Sequence, residues 1–411
     1  MENKGSKLIQ IRIAGVDRPG LTHIITQTLA DFNATVLDIG QADIHQSMTL
    51  GILCQIDKSK EDDLLSELKK QSHLLGVQSH FQNISEHDYN SWVNQQGKNR
   101  YILTLLGRKI TAQQIAETTQ IIIKQKLNID TIKRLTGRIP LDETKSNIRA
   151  CVEFSLRGTP LNPTQMQKEL MALSHNLGVD YSLQEDSMYR RMRRLICFDM
   201  DSTLIQTEVI DELAMRAGVG DQVKAITASA MRGEIDFKQS FKKRVSLLKG
   251  LDESVMIEIA ENLPITEGVD RLMYVLKKHG YKVAILSGGF TYFGKYLQKK
   301  YDIDYVYANQ LEIKEGKLTG HYLGEIVDGQ RKVELLHEIA AKEKVDIAQT
   351  IAVGDGANDL PMLNEAGLGI AFHAKPKVKE NAEQSINTIG LDGVLYFLGF
   401  KDSHLEDLGR L

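Results

Sequence analysis

The sequence predicts an α/β protein: two βαββαβ units of ferredoxin-like order, followed by a doubly wound parallel sheet that carries a mostly helical insertion. Three observations lead there. Strand and helix periodicities alternate as βαββαβ over the first 85 residues, and the same order returns roughly ninety residues later, the mark of an internal duplication. Beyond residue 194, short apolar strands are separated by long helical stretches.

In the first unit, Leu8-Ile9-Gln10-Ile11-Arg12-Ile13-Ala14 alternates like a half-buried strand. Residues 15–20 make a loop in which Pro19 favours a turn. Over 21–32 the residues Leu21, Ile24, Ile25, Thr28 and Leu29 recur at helical spacing. Strand-like runs at 35–44 and 48–56, a helix at 60–75 and a strand at 76–83 complete the unit. A polar linker, 86–99, then surrounds the single tryptophan, Trp92.

The second unit reads as a strand at 101–106, a helix at 111–126, strands at 128–136 and 147–156, a helix at 163–176 and a strand at 179–183. After it comes Ser187-Met188-Tyr189-Arg190-Arg191-Met192-Arg193-Arg194. These four arginines read as a solvated linker over a domain junction, and the overall charge disfavours a phosphate or nucleic-acid patch. The predicted domains span 1–86, 99–185 and 190–411.

A chain of 411 residues buries a substantial core without disulfides or structural metals. Its 42% hydrophobic and 26% charged content excludes disordered and fibrous classes. A net charge of −3 argues against a dedicated nucleic-acid binder. Cys54, Cys151 and Cys197 lie far apart and form no CxxC, which excludes a zinc ribbon or disulfide framework and suits a reducing compartment. No stretch approaches the ~18 apolar residues of a membrane span. The polar start carries no run of signal-peptide type, so the sequons Asn33-Ala34-Thr35 and Asn83-Ile84-Ser85 read as accidental. A soluble, cytoplasmic protein is expected, with no membrane and no nucleic-acid partner.

Chemistry concentrates at strand ends. Leu195-Ile196-Cys197-Phe198 reads as a buried strand that runs directly into Asp199-Met200-Asp201-Ser202-Thr203. A lone Asp there would cap the next helix; two, with Ser and Thr behind them, exceed a cap. Side chains two apart on an extended chain share a side, roughly 6–7 Å apart. That arrangement suits one carboxylate as nucleophile and the other as proton carrier, with a cation beside the pair. Thr350-Ile351-Ala352-Val353-Gly354 likewise runs into Asp355, with Asp359 four residues on and Asn358 before it. Hard oxygen ligands without His or Cys point to Mg²⁺. Gly354-x-Gly356 is not a dinucleotide loop, since position 359 is Asp where that motif needs Gly. Between these sites, Val283-Ala284-Ile285-Leu286 ends in Ser287-Gly288-Gly289, where glycines permit close backbone approach to phosphate. Taken alone, the Ser-Gly-Gly run is only a turn, and Lys332, opening a helical stretch, is only a surface lysine.

Taken together and in this order, Asp-x-Asp-Ser-Thr, Ser-Gly-Gly, a lysine and Gly-Asp-x-x-Asn-Asp resemble the motifs of haloacid-dehalogenase-like (HAD) phosphatases, and the first of them resembles the phosphoserine phosphatase branch. The resemblance covers residue 195 to the C-terminus without departure at a motif position. It implies that the insertion between 204 and 264, too long for a βα loop, is a small helical cap at about 205–268. Glu208 stands where the family places its contact to the substrate ammonium. Met231, Phe237 and Arg244 match the cap's apolar screen and carboxylate-binding arginine, and Met231 and Phe237 fit ordinary cap core equally well. The first βαββαβ unit resembles ACT domains, which sense small molecules, through Gly15-Val16-Asp17-Arg18-Pro19-Gly20-Leu21. The second has Leu106-Gly107-Arg108-Lys109-Ile110 instead, a degenerate ligand loop. Two ACT units ahead of such a phosphatase resemble the long bacterial form.

The resemblance implies hydrolysis of O-phospho-L-serine to serine and phosphate, the last step of serine biosynthesis. Asp199 would form an aspartyl-phosphate and Asp201 would carry the proton. Mg²⁺ would be held by Asp199, the Asp201 carbonyl and Asp355, with Asp359 in support. Ser287, Gly288 and Lys332 would neutralise the phosphoryl group, and Asn358 would position substrate. It further implies a homodimer and a regulatory amino acid, serine, near Asp17 and Gly20. The alternatives are a HAD phosphatase or phosphotransferase for another small phosphomonoester, and a sensor with a vestigial phosphatase fold. His337-Glu338 lacks the second His of a zinc protease, and no P-loop occurs.

Overall fold

The computed structural model describes residues 5–94, 99–138, 148–379 and 381–405. The chain divides into two compact units, Met1–Lys98 and Asn99–Leu411.

In the first unit β1 (Ser6–Val16), β2 (Thr35–Ile44), β3 (Ser47–Asp57) and β4 (Gln78–Ile84) form a sheet of order β2-β3-β1-β4. Strand alternation turns Ile9, Ile11 and Ile13 of β1 and Leu50, Ile52 and Cys54 of β3 to one face. There they bury against Leu21, Ile25 and Leu29 of the helix Leu21–Asp31 and Leu64 and Leu68 of the helix Glu61–Leu75. The expected linker after β4 instead contains a helix, Glu86–Val93. Ser85 caps it by accepting the Asp88 N–H at 3.0 Å, and Tyr89 and Trp92, three apart, bring their ring centroids to 6.0 Å. Polar composition concealed a helix that rests on a cap and one aromatic pair.

The larger unit opens with the same order. Strands β5 (Arg100–Gly107), β6 (Asn128–Arg134), β7 (Ala150–Arg157) and β8 (Asp180–Glu185) alternate with helices Ala112–Lys124 and Pro163–Leu177. The first helix starts with a capping box in which Thr111 Oγ1 accepts the Gln114 N–H and Gln114 Oε1 accepts the Thr111 N–H. Asn162 caps the second helix, and Gly178, left-handed, ends it. The start of the strand expected at 147–156 lies outside the described residues.

The rest of this unit supplies β9 (Leu195–Phe198), β10 (Lys282–Phe290), β11 (Tyr305–Lys314), β12 (Lys317–Leu323), β13 (Thr350–Gly354), β14 (Gly369–Phe372) and β15 (Gln384–Ile386). One sheet joins all of them to the preceding βαββαβ strands, in the order β12-β11-β10-β9-β13-β14-β15-β8-β5-β7-β6. β11, β10, β9, β13, β14 and β15 run parallel, the edge strand β12 is antiparallel, and β8 meets β15 antiparallel at Tyr181 and Ser385. Gln384 fastens that seam, since its Oε1 accepts the Leu183 N–H and its Nε2 donates to the Leu183 carbonyl, both at 2.9 Å.

The arginine run corrects an expectation. It forms the short helix Met188–Arg191 and its continuation, and Arg190 and Arg193 are buried, not solvated. Arg190 pairs with Glu153 of β7 at 2.9 Å, and Arg193 donates to Gln184 Oε1 of β8 at 2.9 Å and to the Gly367 carbonyl at 3.3 Å. Buried charge needs such partners, and they come from distant strands that a local charge run cannot reveal.

Each central strand divides its residues between two cores. Ile196 and Phe198 of β9 face one, and Leu195 and Cys197 face the other, as expected for a doubly wound sheet with helices on both sides. Between β9 and β10 the chain builds an insertion with the helices Val209–Arg216, Gly220–Met231, Phe237–Ser246 and Ser254–Glu261, and then the core helix Val269–Lys278. The insertion's entry and return stems pair through Ile205 and Ile265, and the Gln206 N–H donates to the Pro264 carbonyl at 2.8 Å. No helix among the described residues is long and apolar enough to cross a membrane.

Candidate active site

β9 stops at Phe198, and the backbone then coils. The N–H groups of Leu204, Ile205 and Thr203 converge on the Met200 carbonyl at 2.9, 3.2 and 3.3 Å. Asp199 and Asp201 therefore sit on a tight turn and not on the extended segment that their spacing suggested. Ser202 takes a left-handed φ of 56°. Such a conformation costs a non-glycine residue about 1–3 kcal/mol, and a 2.9 Å hydrogen bond from Ser202 Oγ to Glu208 Oε1 braces it. The Asp199 N–H is anchored on the Val353 carbonyl at 2.9 Å, and its Oδ1 accepts the Met200 N–H at 2.8 Å.

Lys332 rises from the helix Gly329–Glu343 into the same space and is fully buried. Its Nζ lies 3.0 Å from Asp199 Oδ1 and 2.6 Å from Asp359 Oδ1. Burial alone would depress this ammonium, but the two carboxylates outweigh it and hold its pKa above the usual range. Asp359 Oδ2 accepts the Gly356 N–H at 2.9 Å, so both oxygens of this carboxylate are engaged. Gly354 makes the crossing possible, since a Cβ there would lie 2.5 Å from Asp359 Cγ. Among the described residues, Asp199, Asp355 and Asp359 offer carboxylate oxygens within 4.8 Å of one another. Burial, then the charges of Asp359 and Asp199, push the Asp355 carboxyl up to about 8. Three crowded, desolvated carboxylates beside one ammonium leave negative charge in excess, and an all-oxygen donor set of this kind fits a hard divalent cation.

Asp201 has a different setting. It accepts the Val209 N–H at 3.1 Å, and burial, with the fields of Glu208 and Asp199, raises its pKa well above the carboxylate range. A Cβ on Gly289 would come within 2.3 Å of Asp201 Oδ2, so only glycine admits the acid at this approach. Ser287, fully buried, accepts the Gly289 N–H on its Oγ at 2.9 Å.

One residue here escaped the sequence. Asn309 of β11, 1% exposed, donates from Nδ2 to the carbonyls of Gly288 at 2.8 Å and Gly289 at 3.3 Å, and its Oδ1 accepts the Val327 N–H at 2.9 Å. It thus ties the Ser-Gly-Gly end of β10, which the structure keeps in the strand and not in a turn, to the segment that leads into the Lys332 helix. A polar residue inside an otherwise half-apolar strand was the only available signal.

The helical insertion reaches over this floor. Phe237 comes within 2.9 Å of where a Gly288 Cβ would stand, and Lys238 Nζ lies 3.0 Å from Asp328 Oδ2 at the cap of the Lys332 helix. Burial depresses the Arg244 guanidinium, partly offset by Glu208, Asp211 and Asp201, and its buried Nε has no hydrogen-bond partner among the described residues. An unpaired buried donor beside an acidic floor is suited to an incoming carboxylate. Burial likewise pushes Glu208 up against the opposing Ser202 hydrogen bond. Asn358 Nδ2 lies 3.4 Å from Asp359 Oδ1. Met231 ends its helix, and its side chain lies outside the described residues. In the first unit Asp17 is exposed, with its N–H on the Gln46 carbonyl at 2.8 Å, and Gly20 adopts φ 90° at the start of its helix.

Known proteins match this arrangement. A model of haloacid dehalogenase-like hydrolases matches residues 196–364, and one of ACT domains matches residues 7–82. The phosphoserine phosphatase of Streptomyces coelicolor is 40% identical over 397 residues, 96% of this chain and 93% of that one. The phosphoserine phosphatase of Mycobacterium tuberculosis is 36% identical over 400 residues, 97% and 94% of the two chains. Among solved structures, a probable phosphoserine phosphatase from Vibrio cholerae in unliganded form aligns with a TM-score of 0.57 and 35% identity, covering 77% of this chain and 90% of that one. Fold and site together define a haloacid dehalogenase-like hydrolase with an ACT domain at its amino terminus. Within that class, the chain belongs to the phosphoserine phosphatase family.

Proposed function

We propose that the chain hydrolyses O-phospho-L-serine to serine and phosphate through a phosphorylated Asp199. The observation that carries this is the contrast between two carboxyls on one turn. Asp199 is paired with Lys332 at 3.0 Å, while burial, with the fields of Glu208 and Asp199, favours the protonated form of Asp201, whose Oδ1 accepts the Val209 N–H at 3.1 Å. Met200 N–H and Lys332 hold Asp199 Oδ1, which leaves the other oxygen to attack phosphorus. The bond from phosphorus to the seryl oxygen breaks as Asp201 gives that oxygen its proton. Asp201, now a carboxylate, takes a proton from the water that attacks phosphorus, and the Asp199–phosphorus bond breaks to free orthophosphate. Ser287, the Gly288 amide and Lys332 meet the charge on the phosphoryl oxygens, and Asn358 positions the substrate. Glu208 faces the ammonium of serine and Arg244 its carboxylate, with Phe237 and Met231 screening water.

Mg²⁺ fits the donor set. Asp199, Asp355 and the Asp201 carbonyl would hold it with Asp359 in support, and when bound it supplies further positive charge to the phosphoryl group. We further assign free serine to the loop at Asp17 and Gly20, a homodimer as the assembly, and the cytoplasm as the compartment; three buried free thiols suit the last.

Phosphate release measured on O-phosphoserine, O-phosphohomoserine and p-nitrophenyl phosphate tests this function. A clear preference for phosphoserine is expected. Equal turnover of all three, or transfer to an added alcohol acceptor, would favour a different HAD activity.

A further inference from the structure

The second βαββαβ unit carries an ion pair that the chemistry above does not use. Residues 108–111 join the first strand of that unit to its first helix, as residues 17–20 do in the first unit. Where the first unit's loop is exposed, the second extends Arg108 onto Glu267. Arg108 Nη1 meets Glu267 Oε1 at 2.9 Å, Nη2 meets Oε2 at 2.6 Å, and Nε donates to the Thr388 carbonyl at 3.1 Å. The contact is bidentate, which a lysine cannot reproduce. The Arg108 guanidinium holds the Glu267 carboxyl below its usual range against partial burial.

Glu267 is the residue at which the helical insertion returns to the core. Just before it, Ile265 bridges Ile205, and the Thr266 N–H donates to the Leu204 carbonyl at 3.0 Å. The Leu204 N–H in turn reaches the Met200 carbonyl at 2.9 Å, inside the turn that carries Asp199 and Asp201. Just after it, Gly268 has φ 86° and no room for a Cβ, which would stand 2.3 Å from Asp392 Oδ1. The Glu267 carbonyl accepts the Leu391 N–H at 2.7 Å. The backbone on either side of Glu267 is therefore fixed, and its side chain is held from outside the catalytic core.

We propose that Arg108 is a positioning residue for the phosphatase reaction, its clamp on Glu267 seating the return stem of the cap and thereby the cap residues over the phosphoryl site. The loop that serves in the first repeat as a candidate ligand site is spent in the second on this contact. The proposal rests on the phosphoserine phosphatase reading for its kinetic consequence, but its structural consequence is measurable without any substrate.

The test uses the full chain and four variants, Arg108→Ala, Arg108→Glu, Glu267→Arg and the exchange pair Arg108→Glu with Glu267→Arg. Arg108→Ala should raise KM for phosphoserine about fivefold, with kcat within about twofold, the scale of a half-exposed bidentate pair. Inhibition by orthophosphate, which needs the floor but not the cap, should stay unchanged. The exchange pair should recover KM to within about twofold of the parent, whereas each single reversal should be worse than Arg108→Ala. Independently of turnover, amide hydrogen exchange at Gln206 and Thr266 should accelerate in Arg108→Ala and return toward the parent rate in the exchange pair. Unaltered exchange at both amides, or an exchange pair no better than the single reversals, would overturn the proposal. A parent protein inactive on phosphoserine would overturn the functional reading instead, and the exchange measurement would still decide the role of Arg108.

Discussion

Lys332 Nζ lies 3.0 Å from Asp199 Oδ1, and the lysine side chain is wholly enclosed. In the proposed reaction an ammonium held there would neutralise Asp199 and the phosphoryl group it attacks, while Asp359, 2.6 Å away, keeps it in place. Lys332→Met should lower kcat about 10²–10³-fold, the usual loss on removing one transition-state donor. Leaving Asp199 and Asp359 buried without their counter-charge should also destabilise the fold by about 3–5 kcal/mol, read by urea unfolding at pH 7. Full activity with a large stability loss would make the lysine structural only.

Asn309 acts on the same floor from below. Asn309→Leu leaves the Gly288 and Gly289 carbonyls without their amide donor, at about 1–3 kcal/mol in stability. The end of β10, whose N–H groups the proposed reaction turns to phosphate, should then wander, weakening inhibition by orthophosphate about tenfold. Inhibition by serine, which the proposed function assigns to Glu208 and Arg244, should hold. Equal weakening of both inhibitors would mean general loosening of the fold.

Substrate choice should rest on Glu208. Removing one partner of a desolvated ion pair typically costs about 3–5 kcal/mol because the other charge stays buried. Glu208→Gln should therefore cut kcat/KM for phosphoserine by at least about a hundredfold and for p-nitrophenyl phosphate by much less. Parallel losses on both substrates would assign Glu208 to bracing Ser202 alone.

The acids at the ends of β9 and β13 and the Ser-Gly-Gly run were legible because each follows a short apolar run, and a parallel sheet places ligands where such runs end. Lys332 follows a polar run, Asp328 to Arg331, and only the family resemblance singled it out. Both βαββαβ units were legible from periodicity, with element ends off by up to three residues. What stayed hidden depends on partners far along the chain. Asn309 is 21 positions from Gly288, Arg190 is 37 from Glu153, and Arg108 is 159 from Glu267. No local pattern distinguishes these from solvated polar residues. The coiling of residues 199–205 was hidden too, because three amides sharing the Met200 carbonyl is a three-dimensional fact that the Asp-x-Asp spacing does not encode.

Asp304 gives the fold an acid-sensitive joint. Partial burial would raise its carboxyl, but the Val283 N–H at 2.9 Å, Lys277 at 2.9 Å and Lys282 at 3.0 Å prevail and lower it. A carboxyl lowered on folding contributes stability that is complete above the unfolded value of about 3.9 and is lost as pH falls through the folded value. The destabilisation caused by Asp304→Asn should thus be full at pH 7 and should shrink below about pH 4. Denaturant midpoints of parent and variant, followed from pH 7 to pH 3, give the comparison. A gap independent of pH would assign the effect to packing.

In the proposed metal-assisted hydrolysis of phosphoserine, an Asp199 carboxylate oxygen forms the bond to phosphorus. The most direct measurement is phosphate release from O-phospho-L-serine by the full chain and by Asp199→Asn, each with Mg²⁺ and after exhaustive chelation. The amide keeps the shape of the carboxylate and loses its nucleophilicity, so turnover should fall by at least about 10³-fold in the variant. Chelation should silence the parent, and added Mg²⁺ should restore it. Undiminished turnover by purified Asp199→Asn would refute a phosphorylated Asp199, and a parent indifferent to chelation would refute the metal's part.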